Sequence, residues 1–130
     1  MTYRLLWLVA ATLLAFNAAA QLAVQKNTAG GVTVAVTPAN LVAGAKTWDF
    51  SIVLDTHSQD LSDDLASSAV LVDDRGNQFK ALAWDGAAPG GHHRSGVLRF
   101  NAIEPRPQAL ELRISRPGEA KARTFRWRLQ

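Results

Sequence analysis

Apolar and polar residues alternate one for one through most of the chain. Val32, Val34 and Val36 are interleaved with Thr33, Ala35 and Thr37. Trp48, Phe50, Ile52 and Leu54 are interleaved with Asp49, Ser51, Val53 and Asp55. The same period returns at Leu98 and Phe100, at Leu110, Leu112 and Ile114, and at Phe125, Trp127 and Leu129. Period two marks a strand with one buried face. The pattern predicts seven strands, at 32–37, 47–55, 69–73, 78–84, 94–100, 109–115 and 123–129, with a further piece at 22–26 placed on a sheet edge. Pro38, the run Asp73-Asp74-Arg75-Gly76-Asn77, Pro89-Gly90-Gly91, Pro105-Arg106-Pro107 and Pro117-Gly118 separate these runs as turns. No stretch keeps a helical period over ten residues. Leu61 and Leu65 are four apart, and Ser62, Asp63 and Asp64 are suited to open one short helical turn. Seven short strands at this spacing predict an all-β fold, an immunoglobulin-like antiparallel β-sandwich, with a small barrel as the alternative.

The first twenty residues stand apart. Sixteen are apolar, so the 48% apolar content of the chain overstates the rest. Arg4 precedes an apolar run over 5–16, and Ala18-Ala19-Ala20 supplies small residues at a cleavage site. This predicts a secretory signal peptide over 1–20, with cleavage before Gln21. The run is about 12 residues, short of the roughly 20 a bilayer span needs. The expected product is one exported domain over 21–130, periplasmic or secreted from a bacterium, with no membrane span after cleavage. The chain has no cysteine. The core alone must hold the fold, and thiol catalysis and thiolate metal sites are excluded.

Successive strands of an antiparallel fold reverse direction, so alternate loops gather at the same end. The second-to-third and fourth-to-fifth connections are such a pair. They carry all three histidines, His57, His92 and His93, with Asp55, Asp60, Asp63, Asp64 and Asp85. Long polar loops on a rigid scaffold are where sites tend to lie. His57, Asp55, Asp64, Asp85, His92, His93 and Arg94 are the candidate binding or loop-clasping residues. Imidazole with carboxylate also suits copper or zinc. The alternative function is a periplasmic metal-binding protein using His57, His92 or His93 and an aspartate such as Asp60. Looser calcium binding by Asp60, Asp63 and Asp64 is a further option. A hydrolase at the same end is a remote alternative, since neither His57-Ser58 nor Arg94-Ser95-Gly96 is a glycine-flanked nucleophile elbow.

The charge is uneven. The interval 49–74 holds seven acids and no base, whereas 99–128 holds eight bases and three acids. Alternation places Arg99, Arg113, Arg126 and Arg128 on outward faces. Export and the lack of exposed aromatics for base stacking argue against nucleic acid there. Trp48 and Trp127 share the inward parity of their strands, and Trp84 is expected at the margin of the core.

The segments Leu54-Asp55-Thr56-His57-Ser58, Asp64-Leu65, Trp84-Asp85-Gly86 and Pro89-Gly90-Gly91-His92-His93-Arg94-Ser95-Gly96-Val97-Leu98 resemble those of a family of small, largely uncharacterised bacterial secreted or envelope proteins. The resemblance implies an exported β-sandwich and no known reaction. The expected function is a non-catalytic binding or interaction module, with its working surface at the histidine-bearing loop end, an unknown protein or envelope component as partner and no certain cofactor. The oligomeric state is not legible in the sequence.

Overall fold

The computed structural model describes residues 22–129; the expected signal peptide over 1–20 lies outside them. Among the described residues, nine strands and one helical turn follow in order: β1 Gln25–Ala29, β2 Val32–Pro38, β3 Thr47–Thr56, α1 Leu65–Ser68, β4 Ala69–Asp73, β5 Gln78–Lys80, β6 Ala83–Gly86, β7 His93–Asn101, β8 Ala109–Ile114 and β9 Arg123–Arg128. They form two antiparallel sheets, β1-β2-β3-β7-β6 and β5-β4-β8-β9. The first contains the A-B-E-D order of an immunoglobulin-like sandwich in β2, β3, β7 and β6, and the second its C-F-G order in β4, β8 and β9. The two separate sheets replace the barrel alternative.

Alternation sets the core. Val32, Val34, Val36, Trp48, Phe50, Ile52, Leu54, Leu98 and Phe100 from the first sheet meet Leu71, Leu110, Leu112, Ile114, Phe125 and Trp127 from the second. Phe50 packs edge-on against Phe100 at 5.7 Å and tilted against Trp127 at the same centroid distance. Trp48 and Trp127 are buried as expected.

Two features depart from the sequence pattern. The edge piece sits at Gln25–Ala29 rather than 22–26, closing a hairpin onto β2 through Gly30 and Gly31. Both glycines have positive φ, +55° and +76°, as a two-residue turn with right-twisted strands requires. The strand expected over 78–84 is two strands in different sheets. Phe79 and Trp84 both pack against the core but have opposite parity, so the phase changes between them. Ala81 and Leu82 carry the chain across, and the Leu82 N–H already bonds Arg99 O on β7. An all-apolar 81–84 segment gives no alternation from which to read that slip.

Opposite glycines make room for Trp84. Gly86 pairs with Gly96, and a Cβ on Gly96 would lie 2.6 Å from Gly86 Cα and 2.7 Å from the indole. The ring therefore lies on bare backbone, its Nε1–H donated to Ala87 O.

Candidate functional site

The inward rows of three strands run on past the apolar core and end in arginine. Arg94 precedes Gly96, Leu98 and Phe100 on β7. Arg116 follows Leu112 and Ile114 beyond β8. Arg123 precedes Phe125 and Trp127 on β9. All three reach the same end of the sandwich and are buried, at 1%, 6% and 3% exposure. Three buried cations need acceptors at nearly every donor.

Arg94 has carbonyls. Its Nη1 donates to Leu61 O and Asp63 O at 3.1 and 2.7 Å, its Nη2 to Ala87 O at 3.1 Å, and its guanidinium lies 5.7 Å from the Trp84 ring centre. Arg116 grips the Asp63 carboxylate with Nε and Nη2 at 2.9 and 3.1 Å, and Asp63 is fully buried. The Arg116 Nη1 donates to Glu119 at 2.8 Å, and Glu119 takes two further bonds from Arg123. Arg123 also donates to the carbonyls of Asn27, Ala29 and Val32, reaching the β1–β2 hairpin. The loop after β3, the β6–β7 loop, the β8–β9 loop and the first hairpin are thus joined by three side chains. Bidentate guanidinium–carboxylate geometry fixes orientation as well as distance.

The charges hold one another in place. The bonds from Arg123, then Arg116, keep the Glu119 acid below the usual glutamate range against the opposing effect of burial. Burial works to lower the Arg116 pKa, but its bonds to Asp63 and Glu119 prevail and raise it.

The loops add their own ties. Leu61 N–H bonds Gly91 O at 3.0 Å and Gly90 N–H bonds Leu61 O at 2.8 Å, a short two-way ladder. Asp60 Oδ1 accepts the Gly91 N–H at 2.8 Å. Asp64 caps α1 by accepting the Ser67 N–H, the short turn expected from Ser62-Asp63-Asp64. On the solvent side, His93 Nδ1 bonds Asp55 Oδ1 across the β3–β7 pair. His57, His92, Asp64 and Asp85 are exposed around them.

This arrangement bears on each candidate. His93 and Asp55 are joined, as are Arg94 and the carbonyls of both loops. Among the described residues, no group of three or more histidine, aspartate or glutamate side chains is placed to hold a metal ion, so His57, His92, His93 and Asp60 are not gathered into one ligand set. Asp63, grouped in the sequence with Asp60 and Asp64 as a calcium candidate, points inward onto Arg116 and presents no free oxygen to solvent.

No family model and no curated protein matches the chain. Among solved structures, a DUF4426 family protein from Pseudomonas aeruginosa is similar at 16% identity and a TM-score of 0.48, over 81% of this chain and 94% of that one.

Sequence reasoning passed over Arg116, Glu119 and Arg123, and misplaced Asp63. A usable signal was present: each arginine continues the inward parity of its strand, and Asp63 lies midway between the buried Leu61 and Leu65. The general tendency of charged residues to lie outside masked it.

Proposed function

We propose that the protein is an exported, non-catalytic binding module whose working surface is the loop end carrying His57, His92, His93, Asp55, Asp64 and Asp85. One observation carries this reading: the loops beneath those side chains are pinned from inside by Arg94 and Arg116, with Arg123 bracing Arg116 through the shared Glu119. A surface held in one shape before a partner arrives does not spend binding energy on ordering loops. The exposed groups are imidazoles and carboxylates, which recognise polar and charged partners, and a folded protein or an envelope component fits that chemistry.

The test is site-specific photo-crosslinking in the producing cell, with the reactive residue at position 57 or 92 and, as a control, at 75 or 128. The expected result is the same discrete adduct from 57 and 92 and none from the controls, lost on Asp85→Lys. Adducts of equal yield from all four positions, or none from the loop end, overturn the reading. Amino-terminal sequencing of the exported protein is expected to begin at Gln21; an intact Met1 overturns the export assignment.

A further inference from the structure

On the outer face of the four-stranded sheet, Glu111 on β8 stands opposite Arg126 on β9, with Arg113 two residues along β8. The two Glu111 oxygens are taken separately: Arg126 Nε donates to Oε1 and Arg113 Nε to Oε2, each at 2.6 Å. Only the Nε atoms are used. Among the described residues, the terminal nitrogens of both arginines make no hydrogen bond, while the Arg126 side chain is 76% exposed and that of Glu111 13%. One half-buried carboxylate therefore holds two guanidinium groups side by side with their donor edges free. Burial pushes the Glu111 acid up, but the bonds from Arg113 and Arg126 outweigh it and hold the acid below its usual range, so it stays ionised as a tether at neutral pH.

Beside this pair is a depression of about 290 Å³, at the end of the sandwich away from the histidine-bearing loops. Val72, Ala109, Leu110 and Trp127 border it, Leu110 and Trp127 with their side chains turned into the core. Val72 faces outward on β4 yet is only 4% exposed. Two acids on the rim are tied into turns. Asp73 accepts from Arg75 N–H, Asn77 N–H and Asn77 Nδ2, and Asp74 accepts from Gln108 N–H. The depression is shallow and open, and its volume lies just below the usual range of ligand pockets.

We infer that this face is a second binding site, distinct from the loop end, which takes an oxyanion carried on a short apolar group: the free donor edges of Arg113 and Arg126 receive the anion, Glu111 positions them, and the stem lies in the depression. Paired guanidinium donors suit the planar or tetrahedral oxygens of a carboxylate or phosphate. Asp73, Asp74 and Glu111 together outnumber the two arginines around the depression, so it is the directed Nη donors, and not a surplus of positive charge, that would hold the anion.

The test is a chemical-shift titration of the isotope-labelled protein with phenyl phosphate, benzoate, inorganic phosphate and the neutral methyl benzoate. Phenyl phosphate or benzoate is expected to saturate with a dissociation constant of about 1 mM or tighter. Shifts should be confined to residues of β4, β8 and β9 around the depression. Arg126→Gln, whose side chain lies mostly in solvent, is expected to keep the parent spectrum and melting curve and to weaken binding about tenfold. Glu111→Gln separates positioning from charge: it makes the face more positive, so attraction alone predicts tighter binding, whereas loss of the tether predicts weaker binding. The preferred anion, phenyl phosphate or benzoate, names the headgroup. The inference is overturned by no saturation up to about 20 mM, by shifts centred elsewhere, by tighter binding to Glu111→Gln, or by inorganic phosphate matching phenyl phosphate.

Discussion

Replacing Asp63 with asparagine strikes the loop-end lattice at its most buried point. Asp63 is fully buried, accepts both Arg116 bonds through its carboxylate, and its backbone carbonyl takes Arg94 at 2.7 Å. Asparagine has nearly the same volume but puts an NH2 group, a donor, against a guanidinium that has only donors. Removing one member of a buried ion pair costs about 3–5 kcal/mol, because the remaining charge is left unmatched in low dielectric. Glu119 keeps one bond to Arg116, which argues for the lower end, about 3 kcal/mol. Domains of this kind hold about 5–15 kcal/mol in all, so the loss is a large share. The melting temperature is expected to fall by roughly 10–20 °C. The assay is urea unfolding followed by tryptophan fluorescence, with the midpoint lowered and the slope unchanged. Asp49→Asn is the comparison, since it breaks the 3.0 Å Arg99–Asp49 pair, whose side chains are 39% and 24% exposed. That exposed pair should cost less than about 1 kcal/mol. The double variant Asp63→Asn/Arg116→Met removes the stranded charge and should regain part of the loss. If Asp63→Asn costs no more than Asp49→Asn, the lattice does not hold the loops and the reasoning fails.

Three further predictions follow from separate parts of the fold. Gly96→Ala should cost about 1–3 kcal/mol, because its Cβ would meet Gly86 and the Trp84 ring below 3 Å, and the tryptophan emission should shift with it. In acid, Glu119, Glu111 and Asp73 all have depressed pKa values, so the stability they contribute is complete above the ordinary carboxylate range and is lost as pH falls through their folded values. Urea midpoints should be level from about pH 7 to 5 and fall below about pH 4, less steeply in Glu119→Gln. Gln25→Ala should raise amide exchange at Arg126 alone, since the Gln25 side-chain amide accepts the Arg126 N–H at 2.8 Å and donates to its carbonyl, closing that part of the β9 edge; unchanged exchange there would mean the edge is covered by something else.

Strict alternation carried most of the architecture. The rows 32–36, 48–54, 110–114 and 125–129 need no tertiary knowledge to assign a face, and the reversal of successive strands brings the histidine-bearing loops to one end. The slip between β5 and β6 was hidden because 81–84 are all apolar and fit either phase. Arg94 was legible as a loop clasp because it stands beside the histidines. Arg116 and Arg123 were not, since a charged residue at an inward position is ordinarily read as the point where burial stops. Here burial continues and the chemistry changes: backbone carbonyls and two carboxylates take over from methyl groups. The Glu111 tether was also illegible, because nothing in the residues at 111, 113 and 126 says that one carboxylate will be shared by two Nε atoms.

The same inward–outward alternation separates the side chains that hold the loop end from those it displays. A chain without cysteine cannot tie its loops with disulfides, and polar loops rich in Ser, Asp and Gly, with Leu61 as one buried anchor, bury little apolar area of their own. Arginine solves this from below, because one planar group with five donors spans carbonyls on loops that are not neighbours in sequence. Arg123 alone joins the hairpin carbonyls of Asn27, Ala29 and Val32 to Glu119. The side chains that fix the loops face inward, whereas His57, His92, Asp64 and Asp85 face solvent, with Asp64 also capping one helical turn. Under the binding role proposed above, substituting His57, His92 or Asp85 should therefore change what the end binds and leave its shape intact. Substituting Asp63 or Arg94 should disturb the shape first, and binding would fail only as the loops lose their common frame.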